Sequence, residues 1–189
     1  MKPIKRILAI SVLLFFVAVS HSRATQVLHR SPKQLGQQAS LVVRGKVSGV
    51  RSFWNDKHTK IFTETTIAIE QTYKGTPPQA LRILQLGGVV DNVRVNVAGA
   101  LQWRAQEEVL VFLEPYVRGS YQVSGFSQGK FGIVRDPQTR QPYVERPASE
   151  GIELVGSATP EALRRASRID KVPLEQFINQ TLVKQEDRN

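Results

Sequence analysis

Residues 41–54 read LVVRGKVSGVRSFW, and residues 61–75 read IFTETTIAIEQTYKG. These two runs constrain the fold more than any other feature of the chain. In the first, Leu41, Val43, Gly45, Val47, Gly49 and Phe53 alternate with Val42, Arg44, Lys46 and Ser48. In the second, Ile61, Thr63, Thr65, Ile67, Ile69 and Tyr73 alternate with Glu64, Thr66, Glu70 and Lys74. Successive side chains of a strand leave opposite faces, so period two predicts two strands, each with one inner and one wet face. Asn55, Asp56, Lys57 and His58 supply the turn between them. Gly45 and Gly49 fall on the inner face, where the lack of a side chain permits the tight curvature of a barrel.

Shorter signals follow. Residues 81–86 predict a third strand, and Val93, Val95 and Val97 alternate with Arg94 and Asn96 after Gly87-Gly88. Residues 109–113, VLVFL, are continuously apolar, as in a strand buried on both faces. YQVSGF and KFGIVRD predict two short strands, and QPYVERP an edge strand limited by Pro142 and Pro147. Ser31-Pro32 opens a short helix with Leu35 and Ala39 on one face. Thr159-Pro160-Glu161 opens another near the C-terminus. Further on, Leu174, Phe177, Ile178 and Leu182 share one face at helical spacing. Residues 148–158 read as a linker. The expected architecture is mainly β: an OB-like small Greek-key β-barrel with a short N-terminal helix and one or two C-terminal helices. The barrel domain is expected over 25–147. A linker and a helical segment packing on the barrel follow over 148–189.

The first 24 residues fit a secretory signal peptide. Lys2, Lys5 and Arg6 precede an uncharged apolar run, and Ser22-Arg23-Ala24 supplies a cleavage site. The run is too short for a comfortable membrane span, which needs roughly 20 residues. The expected compartment is periplasmic or extracellular after cleavage near Ala24. The chain has no Cys, so packing without disulfides must hold the fold. The formal charge is +10, but Lys2, Lys5, Arg6 and Arg23 belong to the signal, which leaves +6. Residues 25–134 carry 13 basic against 7 acidic side chains, and 135–189 carry 9 of each. That excess favours weak attraction to anions without naming one.

One string suggests catalysis. Residues 125–129, GFSQG, match the G-x-S-x-G pattern of a hydrolase nucleophile elbow. An elbow needs a strand entering and a helix leaving, with a His later in the chain. Here the alternating KFGIVRD follows, and no His comes after Ser127. His21, His29 and His58 all precede it. A serine hydrolase using Ser127 is therefore the remote reading, and a hairpin-like turn between two strands is preferred. Glu107 and Glu108 are adjacent on a strand and point to opposite faces, so they do not form a carboxylate pair. With no Cys and isolated His residues, no metal site is expected. No cofactor is expected.

The run ASLVVRGKVSGVRS, with the strand ending in Tyr73-Lys74-Gly75, resembles the start of the netrin-like module, the OB-fold barrel of tissue inhibitors of metalloproteinases. The chain as a whole resembles a set of uncharacterised exported bacterial proteins. In these a Gly-Gly segment precedes an "EEVLVFL"-like strand and an "SQGKF"-like segment, here Gly87-Gly88, residues 107–113 and residues 127–131. The resemblance covers about residues 35–136 and implies an OB-like barrel. It does not extend to the animal inhibitors' mechanism, which needs an N-terminal Cys. The function expected is a non-enzymatic exported binding module for a protein partner, such as an exported peptidase. The alternative is a polyanion binder for nucleic acid or acidic glycan, with Arg44, Lys46, Arg51 and Trp54 facing the ligand. The face of Leu174, Phe177, Ile178 and Leu182 either docks a partner or packs on the barrel, the second being preferred.

Overall fold

The computed structural model describes residues 25–146 and 152–182. The expected signal peptide and its cleavage site lie outside the described residues. In chain order the elements are β1 (Thr25–Leu28), α1 (Pro32–Gln38), β2 (Leu41–Trp54), β3 (Ile61–Lys74), β4 (Leu81–Leu86), β5 (Gly88–Val90), β6 (Val93–Val95), β7 (Glu108–Pro115), β8 (Tyr121–Val123), β9 (Lys130–Arg135), β10 (Pro142–Arg146), β11 (Ile152–Val155), α2 (Pro160–Ser167), β12 (Ile169–Pro173) and α3 (Leu174–Thr181). Among the described residues the fold is mainly β, with a closed five-stranded barrel and three short helices, consistent with the expected small β-barrel with a few helices.

The barrel closes in the order β2, β3, β4, β8, β7 and back to β2. Every junction is antiparallel except β4 with β8, which is parallel. From β7 the sheet also runs outward through β9 and β10 to β12. Leu41, Val43, Val47, Ile67, Leu81, Ile83, Val109, Val111, Leu113 and Val123 fill the barrel interior. A second core covers the outer face. Val42, Leu110 and Phe112 pack there with Phe131 and Val144 beneath Leu35, Ala39, Leu174, Phe177 and Ile178. The apolar run of β7 is thus explained: odd positions point inward, and even positions point under the helices. The outer face of β2 is wet only in part, because Val42 is fully buried.

Register shifts in the β2–β3 ladder fall between Val42 and Val43, Arg44 and Gly45, and Val47 and Gly49. Such bulges increase twist and swap the faces of the residues beyond them. This corrects the expected inner position of Phe53. Phe53 packs outside against Phe62, ring centroids 6.4 Å apart. Ser52 faces Thr63 instead, with hydroxyls 3.0 Å apart. At Gly45 a Cβ would collide with the backbone of Ala68, whereas Gly49 has open space. Close strand approach therefore requires the first glycine and not the second.

The N-terminal helix begins where the sequence places it. Ser31 accepts from the Gln34 amide at 3.3 Å, and the Gln34 side chain accepts from the Ser31 amide at 2.8 Å. With Pro32 at the first helical position, this capping box satisfies two otherwise orphaned donors.

Two expectations about the C-terminal part are corrected. The supposed linker contains β11, which pairs in parallel with β1. The stretch after Gln141 is not an edge, because β12 covers the far side of β10. Pro142 is tolerated as the first residue of its strand.

Candidate binding cleft

The GFSQG segment is neither elbow nor hairpin. β8 and β9 both run antiparallel to β7 along the same edge, with Leu113 opposite Val123 and Val111 opposite Lys130. Only Phe112 stands between those pairs, facing residues 124–129. The segment is the expected turn between two strands, but it bulges out of one line of pairing along β7 instead of closing a hairpin, because β8 and β9 do not pair with each other. Both ends are tied to Phe112. Its carbonyl accepts from the Ser124 amide at 2.8 Å, and its amide donates to the Gly129 carbonyl at 2.9 Å. At the bulge β8 stays in the barrel and β9 leaves it.

Gln128 holds the bulge to the N-terminal segment. Its side chain is fully buried. Its Oε1 accepts from the Arg30 amide at 2.9 Å, and its Nε2 donates to the Leu28 carbonyl at 2.9 Å and the Gly125 carbonyl at 3.2 Å. The Gln128 carbonyl accepts from Arg146, whose guanidinium also donates to Ser167 at 2.8 Å and lies 4.7 Å above the Phe131 ring. Arg146 is 5% exposed, and burial lowers its pKa to about 10.

Gln128 thereby shapes one wall of a cleft of about 580 Å³. Leu28, Leu84, Leu86, Leu101, Val123 and Phe126 give it an apolar lining. Leu28 is 60% exposed, and Leu86 and Phe126 are each 42% exposed. Arg30 and Glu114 bring charge to it. Glu114 accepts from the Ser124 hydroxyl at 2.5 Å, while Arg30 stands 3.6 Å away. A mostly apolar concavity with a few polar groups is the usual form of a binding site.

The residues picked from sequence are not brought together there. Arg44 lies 3.6 Å from Glu70 and 3.7 Å from Glu108, and Lys46 lies 3.6 Å from Glu70. Arg51 sits at the other end of β2, 2.8 Å from Glu64. Glu64 was expected in solvent but is 9% exposed, with Arg82 3.9 Å away on its other side. Trp54 stacks on His58, centroids 6.1 Å apart. Alternation puts it on the opposite face from Arg51. Leu174, Phe177 and Ile178 are buried in the outer core, with Leu182 packed against it, so this face docks on the protein's own sheet. Glu107 and Glu108 diverge as expected. Glu107 pairs with Lys130 at 2.8 Å, and Glu108 with Arg135 at 2.6 Å. Burial pushes the Lys130 ammonium below the usual lysine range, although Glu107 opposes this.

The Ser127 hydroxyl makes no hydrogen bond to a His or carboxylate among the described residues. Ser127→Ala is therefore expected to change stability by less than about 0.5 kcal/mol in urea unfolding. The nearer His has a different consequence. Burial and the Arg146 charge lower the His29 pKa below its ordinary 6.5. The unfolded chain then takes up a proton near pH 6.5 that the folded chain resists. Stability is full above that pH and falls as pH drops through it, until the folded pKa is passed. Urea midpoints of His29→Gln measured between pH 7.5 and pH 5 are expected to show a shallower fall than wild type.

No family model matches the chain, and no curated protein matches it.

Proposed function

We propose that this chain is a non-enzymatic, exported OB-like module whose barrel cleft binds a protein partner. The observation that carries the proposal is the cleft itself: an apolar concavity of about 580 Å³ with Leu28, Leu86 and Phe126 exposed at it. Exposed apolar groups clustered in a concave site mark interaction surfaces more often than scattered ones do. The closed five-stranded barrel with its parallel β4–β8 junction is compatible with an OB-like barrel, and the netrin-like part of the reading rests on the sequence resemblance alone. The signal-like N-terminus supports export, with maturation near Ala24. The polyanion alternative draws less support, because Arg51 is hydrogen-bonded to Glu64, Arg44 stands between Glu70 and Glu108, and Trp54 lies on the opposite face from Arg51.

The test is photocrosslinking in intact cells, with a photoreactive residue at Phe126 or, as control, at the exposed Arg140. A discrete protein adduct is expected from position 126 and not from 140. Identical adducts from both positions, or none, would overturn the reading.

A further inference from the structure

We infer that the occupant of the cleft is an extended peptide segment, added as a strand to the free edge of β4, with a carboxylate held by Arg30. This rests on the reading of the chain as a protein-binding module.

The cleft is the place where the barrel seam comes apart. β4 and β8 pair through a single parallel bridge, Ile83 opposite Tyr121. The next step, Gln85 opposite Val123, does not form a pair. Leu84, Gln85 and Leu86 from one strand and Gln122 and Val123 from the other line the opening instead.

The direction of the backbone groups follows from the neighbouring ladder. Gly87 donates its amide to the Ile61 carbonyl at 2.8 Å, just beyond the pair of Phe62 with Leu86. Hydrogen-bonded pairs alternate in an antiparallel ladder. Gln85 and Ile83 therefore bond to β3, while Leu84 and Leu86 turn their N–H and C=O groups toward the seam. Tyr121 engages the seam edge at Leu84. Leu86 lies beyond the end of the ladder, and no strand pairs with it there among the described residues. Leu86 lines the cleft and is 42% exposed.

Main-chain bonding supplies affinity in strand addition, and pockets for alternate side chains supply selectivity. The apolar lining from Leu28, Leu101 and Phe126 suits such side chains. Charge complementarity fixes the remaining group. Glu114 takes its short hydrogen bond from Ser124, and Arg30 stands 3.6 Å off, beyond hydrogen-bond range. Among the described residues the Arg30 guanidinium has this one ion pair with Glu114 and no hydrogen bond, which leaves donors for a second carboxylate. Its planar fork matches a carboxylate, whether from an acidic side chain or a chain end.

The test begins with a displayed library of random octapeptides bearing free C-termini, selected on the exported protein. Enriched sequences should carry apolar residues at alternate positions and a carboxylate. In synthetic copies, N-methylation at alternate residues in one register should weaken binding about tenfold or more, and in the other register by less than about twofold. Separate copies with Asp/Glu replaced by Asn/Gln, or with the C-terminus amidated, identify the carboxylate's source. Arg30→Gln, checked for an unchanged thermal midpoint, should abolish the preference for the acid. Equal sensitivity in both registers, an unchanged acid preference, or no enrichment would overturn strand addition. If the crosslink from position 126 persists in any of those cases, protein binding stands and only the mode fails. If the crosslink is also absent, both readings fall.

Discussion

Gln128→Leu is expected to lower unfolding free energy by about 3–5 kcal/mol, although the substitution adds apolar volume. The side chain satisfies three backbone groups at once: the Arg30 amide and the Leu28 and Gly125 carbonyls. Leaving a buried donor or acceptor unpaired costs about 1–3 kcal/mol, and the Gln128 side chain that bonds all three is itself fully buried. Gln128→Glu separates hydrogen bonding from shape. It keeps an acceptor for the Arg30 amide but turns a donor toward two carbonyls into a carboxylate, so it should destabilise at least as much. Urea unfolding measures the loss, and hydrogen exchange locates it, because the Arg30 amide should lose protection before the barrel amides do. A Leu variant within about 1 kcal/mol of wild type would show that water replaces these bonds. The substitution should also weaken the crosslink from position 126, since Leu28, Gly125 and Phe126 all line the cleft.

The parts of this fold visible in the sequence are those whose pattern is local. Alternation in β2 and β3 is legible because one strand face is continuous over several residues. The capping box at Ser31 needs only four consecutive residues. The face of Leu174, Phe177 and Ile178 follows from helical spacing alone. The parts missed are set by distant partners. β1 and β11 are four residues each, and Gln26 meets Glu153 from 127 positions away. Nothing in either stretch announces a strand. The bulge between Val47 and Gly49 adds no unusual residue, yet it moves Phe53 to the opposite face. Gln128 reads only as part of a turn, and the three backbone groups around it make it a core residue. The cleft is harder still. Its walls come from β1, β4, residues 97–101, the end of β7, β8 and the bulge, and none of these carries a motif. One signal was available: Gly125 and Gly129 around a polar pair mark a place where backbone geometry matters more than side-chain chemistry.

Phe177→Ala is expected to cost about 3–5 kcal/mol, the range for emptying an aromatic site in a packed core. Phe177 is 4% exposed. Its ring lies 4.9 Å from that of Phe131 and 6.4 Å from that of Phe112, centroid to centroid. Phe131 and Phe112 are themselves 5.4 Å apart, so the three rings form one cluster joining α3, β9 and β7. Aromatic pairs of this kind add about 0.5–1.5 kcal/mol beyond area burial. The prediction separates the two roles that the apolar helix face can have. A face reserved for a partner would tolerate alanine in the isolated protein and lose only binding. A face docked on the barrel must lose stability with no partner present. Urea unfolding of the purified protein decides between them. A midpoint shifted down with an unchanged slope fits docking, and an unchanged midpoint would free the helix for a partner. Phe126→Ala is the matched control. It removes an aromatic side chain that is 42% exposed at the cleft, so it should barely move the midpoint while it reduces partner crosslinking from a neighbouring cleft position such as Leu28.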